Sequence, residues 1–223
     1  MAVNLDLSLV RERCIKCFHK NCYCQHIQSF DPKIRFVILI QYREAQKHIA
    51  TGRLSHLCLQ NSELIKGYDY TLDARVNEIL ANPRYFPVVL HPGAKAANFS
   101  RITAKERVAL FPADREPVIF VVDGTWISAR KIMQKSANLQ NIPQICFDPP
   151  HPSRFRLRKQ PKDFCFSTVE AIHHTIELLG ENFQFNTAGR AHDHLLEMFS
   201  LMEEQQIRLI RNQPRFLRHL APS

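Results

Sequence analysis

Glycine is scarce in this chain, six in 223 residues, and neither of the two glycine-rich phosphate cradles, G-x-G-x-x-G and G-x4-G-K-[ST], occurs. That argues against a dinucleotide or nucleoside-triphosphate enzyme of the usual kind. Long apolar runs are missing as well: the longest, FVILI and VIFVV, are five residues each, against the roughly 20 a helix needs to span a bilayer. The N-terminus, MAVNLDLSLVRERC, has no basic start followed by an apolar stretch, so no secretory signal is read and the cytoplasm is the expected compartment. Tryptophan occurs once, at Trp126.

What is present is ordinary in bulk and uneven in detail. Hydrophobic content is 45% and charged content 23%, typical of a globular chain long enough to bury a substantial core. One main domain with a small appendage is expected. The net charge is +9, an excess that favours a polyanionic partner such as nucleic acid.

Four of the seven cysteines fall in CIKCFHKNCYC as C-x2-C-x4-C-x-C: Cys14, Cys17, Cys22 and Cys24. An odd total in a reducing compartment argues against a disulfide framework. Four thiolates at this spacing match the tetrahedral site that Zn²⁺ accepts, with His19 or His26 able to replace one of them. An iron–sulfur cluster and a set of free thiols are the alternatives. A structural zinc would give a short head, residues 1–30, folding energy that its few apolar side chains cannot supply. Arg11, Arg13, Lys16 and Lys20 would let that head touch RNA.

Beyond the head, short apolar segments alternate with helical periodicity. Residues 34–41, 86–93, 117–123 and 143–148 read as strands, and 51–60, 70–82, 127–139, 167–180 and 188–211 as helices. Ser167 and Glu170 form an S-x-x-E capping box, and Gly180 stands where a left-handed C-terminal residue is expected. Strands that are apolar throughout and alternate with helices predict an α/β fold, a parallel sheet with helices on both faces. In such sheets ligands bind beyond the carboxyl ends of the strands.

Three strand ends carry polar or turn-forming residues: LHPG (90–93), DGTW (123–126), and the loop from FDPPHPS to FCFSTVEA. Asp123 suits a general base or an anchor for a ligand's amino group, with an N-cap as the structural alternative. Trp126 suits a face packed on a cationic ligand such as a sulfonium, with a core residue as the alternative. His91 reads as a polar residue at a turn. In HPSRFRLRKQPK, basic residues Arg154, Arg156, Arg158 and Lys159 alternate with Phe155 and Leu157. The pattern suits an extended segment with one charged face, for phosphate contact or for solvent.

Taken in order, the four-cysteine cluster, TGRL, the HPG strand end, the Asp-x-Thr-Trp signature at Asp123 to Trp126, RLRK and STVEA resemble the DTW-domain family, the tRNA-uridine aminocarboxypropyltransferases. The resemblance implies a SPOUT-like domain over residues 31–223 with a C-terminal trefoil knot around S-adenosylmethionine. It implies transfer of the 3-amino-3-carboxypropyl group to N3 of a tRNA uridine, with methylthioadenosine released. Asp123 and Trp126 would be catalytic. Thr51, Leu90, Asp123, Thr125, Trp126, Ala129, Phe164 and Thr168 would hold the co-substrate, Trp126 and Ala129 walling off its methyl group. Two other functions compete: an S-adenosylmethionine-dependent RNA methyltransferase, and a zinc-bearing RNA-binding protein without catalysis.

Overall fold

The computed structural model describes residues 13–157 and 165–211. Six strands form one sheet: β1 (Arg35–Gln41), β2 (Ser62–Gly67), β3 (Tyr85–Leu90), β4 (Ala97–Asn98), β5 (Glu116–Asp123) and β6 (Gln144–Cys146). Their order is β2-β1-β5-β3-β6-β4, and every neighbouring pair is parallel. Around them lie α1 (Tyr42–Ala45), α2 (Thr51–Cys58), α3 (Ala74–Ala81), α4 (Ala104–Ala109), α5 (Trp126–Lys135), α6 (Ala137–Gln140), α7 (Thr168–Leu179) and α8 (His194–Arg211).

Helices cover both faces, which is why Phe36 to Ile40 of β1 are all fully buried. On one face Phe36, Ile38, Val88, Ile119 and Val121 pack against α2, α7 and α8. On the other, Val37, Leu39, Val89 and Phe120 pack against α3, α5 and α6. Each such fully buried side chain contributes roughly 1.5–3 kcal/mol of burial energy. The head joins the first of these cores: Cys17 and Tyr23 are buried in it. Main-chain bonds from Phe30 N–H to Cys58 O and from Gln60 N–H to Phe30 O tie it to the end of α2.

The expected strands and helices are present, with shifted limits. The helix expected at 70–82 begins after Asp73, whose carboxylate accepts from the main-chain N–H groups of Arg75 and Val76. The one expected at 127–139 is two, α5 and α6, broken at Ser136, whose buried hydroxyl accepts from the Tyr70 N–H. The last helix starts at His194 rather than 188, after a 3-10 turn at Ala191–Asp193.

One expectation is overturned. Gly180 is right-handed, with φ −54° and ψ −49°, and the chain runs on through a 3-10 turn, Gly180–Phe183, to a left-handed Gln184. Glycine is needed there for space: a Cβ would lie 2.8 Å from the Thr187 methyl and 3.0 Å from the Phe185 ring. The capping box of Ser167 and Glu170 is formed as expected.

Candidate active site at the strand ends

The carboxyl ends of β3, β5 and β6 open onto a cavity of about 520 Å³ that also takes in Thr51 and Thr168, the first residues of α2 and α7. Strand order supplies the crevice. From β1 the chain crosses to β2 on one side, while β5, its other neighbour, leads on to β6 in the opposite direction. Ligand sites form where connections part in this way.

Asp123 is the last residue of β5, paired with Ile40 of β1, and is 5% exposed. Its Oδ1 accepts from the hydroxyl of Thr168 at 2.5 Å and from that of Thr51 at 3.4 Å. Two helix N-termini and two hydroxyl donors thus surround one carboxylate, a setting suited to negative charge. Gly52 completes the fit, because a Cβ there would lie 2.7 Å from both Cγ and Oδ2 of Asp123. In the TGRL segment the threonine supplies a donor and the glycine supplies clearance.

The helix after β5 is capped by Thr125, whose hydroxyl accepts from the Ser128 N–H at 3.0 Å. The capping alternative for Asp123 therefore does not apply. Thr125 itself is committed to the cap and is absent from the cavity wall. Trp126, 37% exposed, lines the cavity beside Ala129 and Arg130, so it is not a core residue.

Of the residues singled out in the sequence, the fold brings together Thr51, Leu90, Asp123, Trp126, Ala129 and Thr168 around one space. Phe164, Arg158 and Lys159 lie outside the described residues. Sequence reasoning passed over Arg130, and it marked the loop that carries Phe147, Asp148 and Phe166 without singling out those residues; all four share the wall. A pattern search could have found Arg130, which stands four residues after Trp126 and so on the same side of α5. His91 also lines the space; burial, and then the charge of Arg130, push its imidazole below its ordinary pKa.

Phe155 of the basic segment is buried against Phe199 of α8, ring centroids 5.1 Å apart. Its neighbours Arg154 and Arg156 are held by the main chain: their N–H groups donate to Glu170 and Glu203, each at 2.7 Å. The Arg156 guanidinium lies 3.5 Å from Glu203 and is half exposed. Over residues 154–157 the side chains alternate between exposed and at least partly buried; the rest of the basic segment lies outside the described residues.

In the head, the four thiols of Cys14, Cys17, Cys22 and Cys24 lie within 4.8 Å of one another, and the sulfurs of Cys14 and Cys24 are 3.8 Å apart. Zn–S bonds of about 2.3 Å give a tetrahedron with edges of about 3.8 Å, so the cluster can hold one metal ion. The main-chain N–H of Cys17 pulls the Cys14 thiol down to about 6, whereas burial pushes Cys17 and Cys24 up. The ligand atoms that lie within 4.8 Å of one another here are the four thiols, and neither His19 nor His26 is among them; His19 is buried with Nδ1 engaged by Asn21, and His26 pairs with Gln25.

A doubly covered parallel sheet with a buried carboxylate at the floor of its strand-end cavity defines the class, an α/β protein with a cleft at the carboxyl ends of its strands. The family follows from the sequence: the DTW-domain model matches residues 11–207, and the chain belongs to that family. It is 29% identical over 122 residues to tRNA-uridine aminocarboxypropyltransferase 2 of Macaca fascicularis, and 28% identical over 122 residues to the protein of that name in Mus musculus. In both cases the match covers 55% of this chain and 39% of the relative. No solved structure matches.

Proposed function

We propose that the protein transfers the 3-amino-3-carboxypropyl group of S-adenosylmethionine to N3 of a tRNA uridine. The observation that carries this reading is Asp123, held by Thr51 and Thr168 on the floor of a half-open cavity beside Trp126, in a chain of the DTW family. The cavity volume is in the range usual for a ligand of that size. The names of the Macaca and Mus relatives support the same reading.

The sulfonium supplies a carbon made electrophilic by its thioether leaving group. Which of its three carbons reacts depends on which one the pocket presents to the nucleophile. In this reading Trp126 and Ala129 cover the methyl, and the Trp126 face lies against the positive sulfur. The Thr168 hydroxyl is committed to Asp123, so the carboxylate of the transferred arm would be met by main-chain N–H groups at the head of α7 and by Arg130. Leu90 and Phe164 would contact the adenine through main-chain groups. Asp123 would take the N3 proton as the N–C bond forms and the C–S bond breaks.

Under the same proposal the thiol cluster holds zinc and organises the head, residues 1–30. Arg154, Arg156, Arg158 and Lys159 contact tRNA phosphates, and the expected trefoil knot lies in the C-terminal part of a 31–223 domain. Insertion of β5 and β6 between strands laid down on either side of them is in keeping with such threading. Among the described residues no helix is long and apolar enough to cross a membrane.

The test is mass spectrometry of the small product after incubation with S-adenosylmethionine and unmodified tRNA. Methylthioadenosine with a matching mass gain on a uridine is the expected result. S-adenosylhomocysteine would move the function to a methyltransferase. Neither product, from folded and metal-loaded protein, would leave a binding protein.

A further inference from the structure

A second group of metal-ligating side chains lies away from the thiols. His173 and Glu177 stand one turn apart on α7, and His192 and Asp193 are neighbours in the 3-10 turn before α8. One ligand atom from each lies within 4.8 Å of the other three. His173 Nε2 is 2.8 Å from Asp193 Oδ1 and 4.0 Å from Glu177 Oε1. His192 Nε2 is 2.8 Å from Glu177 Oε1 and 3.9 Å from Asp193 Oδ1. Two nitrogens and two oxygens therefore alternate around one point. Their separations bracket the edge of about 3.4 Å expected for a tetrahedron with bonds of ~2.1 Å.

Burial matches a built site. His192 is fully buried, His173 is 9% exposed, and the rings lie 4.8 Å apart. The Nδ1 of His192 has no hydrogen-bond partner, and the ring is held by its Nε2 contacts and by packing against His173 and Phe185. With the site as it stands, protons on the two Nε2 atoms bridge to the carboxylates. A divalent ion would take the place of those two protons, which move to Nδ1 or to solvent.

Arg190 is the competing cation. It adopts a left-handed backbone, φ 56°, and its guanidinium bridges Glu177 and Asp193, each at 2.5 Å. Its side chain is 51% exposed and able to swing outward. Two carboxylates with a divalent ion and two neutral imidazoles are charge-balanced without it.

We propose that His173, Glu177, His192 and Asp193 form a second site for a divalent first-row transition metal, with Zn²⁺ the best match to an N2O2 set. The ion would clamp the turn before α8 to the helix that carries Thr168 into the cavity. The proposal does not depend on the reaction assigned above.

Co²⁺ titration of the purified protein tests it, with metal counted per chain after gel filtration. The wild type is expected to bind two ions. One gives the strong near-ultraviolet absorption of thiolate coordination, and the other gives visible bands without it. Glu177→Gln, which keeps the shape of the side chain, should weaken only the second ion, by about 10-fold or more, and His173→Gln should do the same. Arg190→Gln should tighten it, since a competitor is removed. A wild-type protein that shows no visible bands beyond those of the thiolate-bound ion, a result no variant's folding affects, overturns the proposal and leaves the four residues as an ion-pair pin with Arg190. A second ion that binds equally well in Glu177→Gln also overturns it, because that ion sits elsewhere.

Discussion

The head draws its four thiols from eleven consecutive residues, Cys14 to Cys24, whereas the cavity draws Thr51, Leu90, Asp123, Asp148 and Thr168 from five segments spread over more than half the chain. The described part of the head buries few apolar side chains of its own, and its thiols are spaced to hold an ion that would fix its loops. The cavity needs none, because the sheet register puts Leu90 beside Val121 and Asp123 beside Ile40 before any ligand arrives. Local spacing plus a metal and distant residues plus a sheet are two routes to one end, polar groups held at fixed positions. The two regions touch through the core that contains both Cys17 and Val169, so their independence is open to experiment.

Cys17→Ser breaks the comparison most forcefully. Cys17 is fully buried and belongs both to the thiol cluster and to the core of α2, α7 and α8. Structural zinc contributes on the order of 10 kcal/mol to small domains that depend on it. The expected outcome is loss of the head's metal together with several kcal/mol of stability, read by metal analysis and thermal melting. Asp123→Ala is the counterpart in the cavity. It should lower transfer at least ~100-fold, the scale of a general base, and leave the metal count unchanged. Its stability cost should be about 1–3 kcal/mol, since the Thr51 and Thr168 hydroxyls lose their acceptor. Full activity in Asp123→Ala would remove the base from the proposed reaction; loss of metal in it would show that the two regions are one unit.

Gly52→Ala is a finer test. Gly52 is absent from the cavity wall, yet a methyl group there would collide with Asp123 at 2.7 Å. Overpacking of this kind costs about 1–3 kcal/mol. The carboxylate must shift, so kcat should fall while the metal content stays intact. A variant with wild-type kcat would mean that the position of Asp123 matters little.

How much of this was legible in the sequence follows from the same contrast. The thiol cluster could be read from spacing alone, and the buried strands β1 and β5 from their unbroken apolar runs. The meeting of Thr51, Asp123 and Thr168 has no local signature, because it depends on β5 inserting between β1 and β3; only the family resemblance brought those residues onto one list. Strands β2 and β4 escaped notice because they are the two edges of the sheet. Ser62–Gly67 has only two buried residues and only two apolar side chains, Leu64 and Ile65, and Ala97–Asn98 is two residues long. Helix α4 has no buried residue and so no apolar stripe, although its Thr103–Glu106 capping box was there to be read. Gly180 misled for a similar reason: a glycine after a helix suggests a left-handed turn, and nothing in sequence tells of Phe185 and Thr187 crowding it.

The smallest effect is expected at Asp148, the second carboxylate of the cavity wall and the opposite of Asp123 in exposure. Its oxygens accept from Arg101 Nε and Asn98 Nδ2, each at 2.9 Å, on the solvent side of the loop after β6. The Arg101 hydrogen bond, followed by that of Asn98, holds its carboxyl below the ordinary carboxylate range. A lowered pKa in the folded state means stability that is present above the unfolded value, about 3.9, and is lost as pH falls through the folded one. The melting temperature of the wild type should therefore exceed that of Asp148→Asn slightly near neutrality, and the gap should close below about pH 4. Because the pair is exposed and screened, the gap should also shrink in high salt. Parallel curves from neutral to acid pH would mean that the loop is held instead by the Ser100 hydroxyl, which donates to the Asp148 carbonyl and accepts from the Asp148 N–H. This wall of the cavity, like its floor, would then be held by hydroxyl hydrogen bonds rather than by an ion pair.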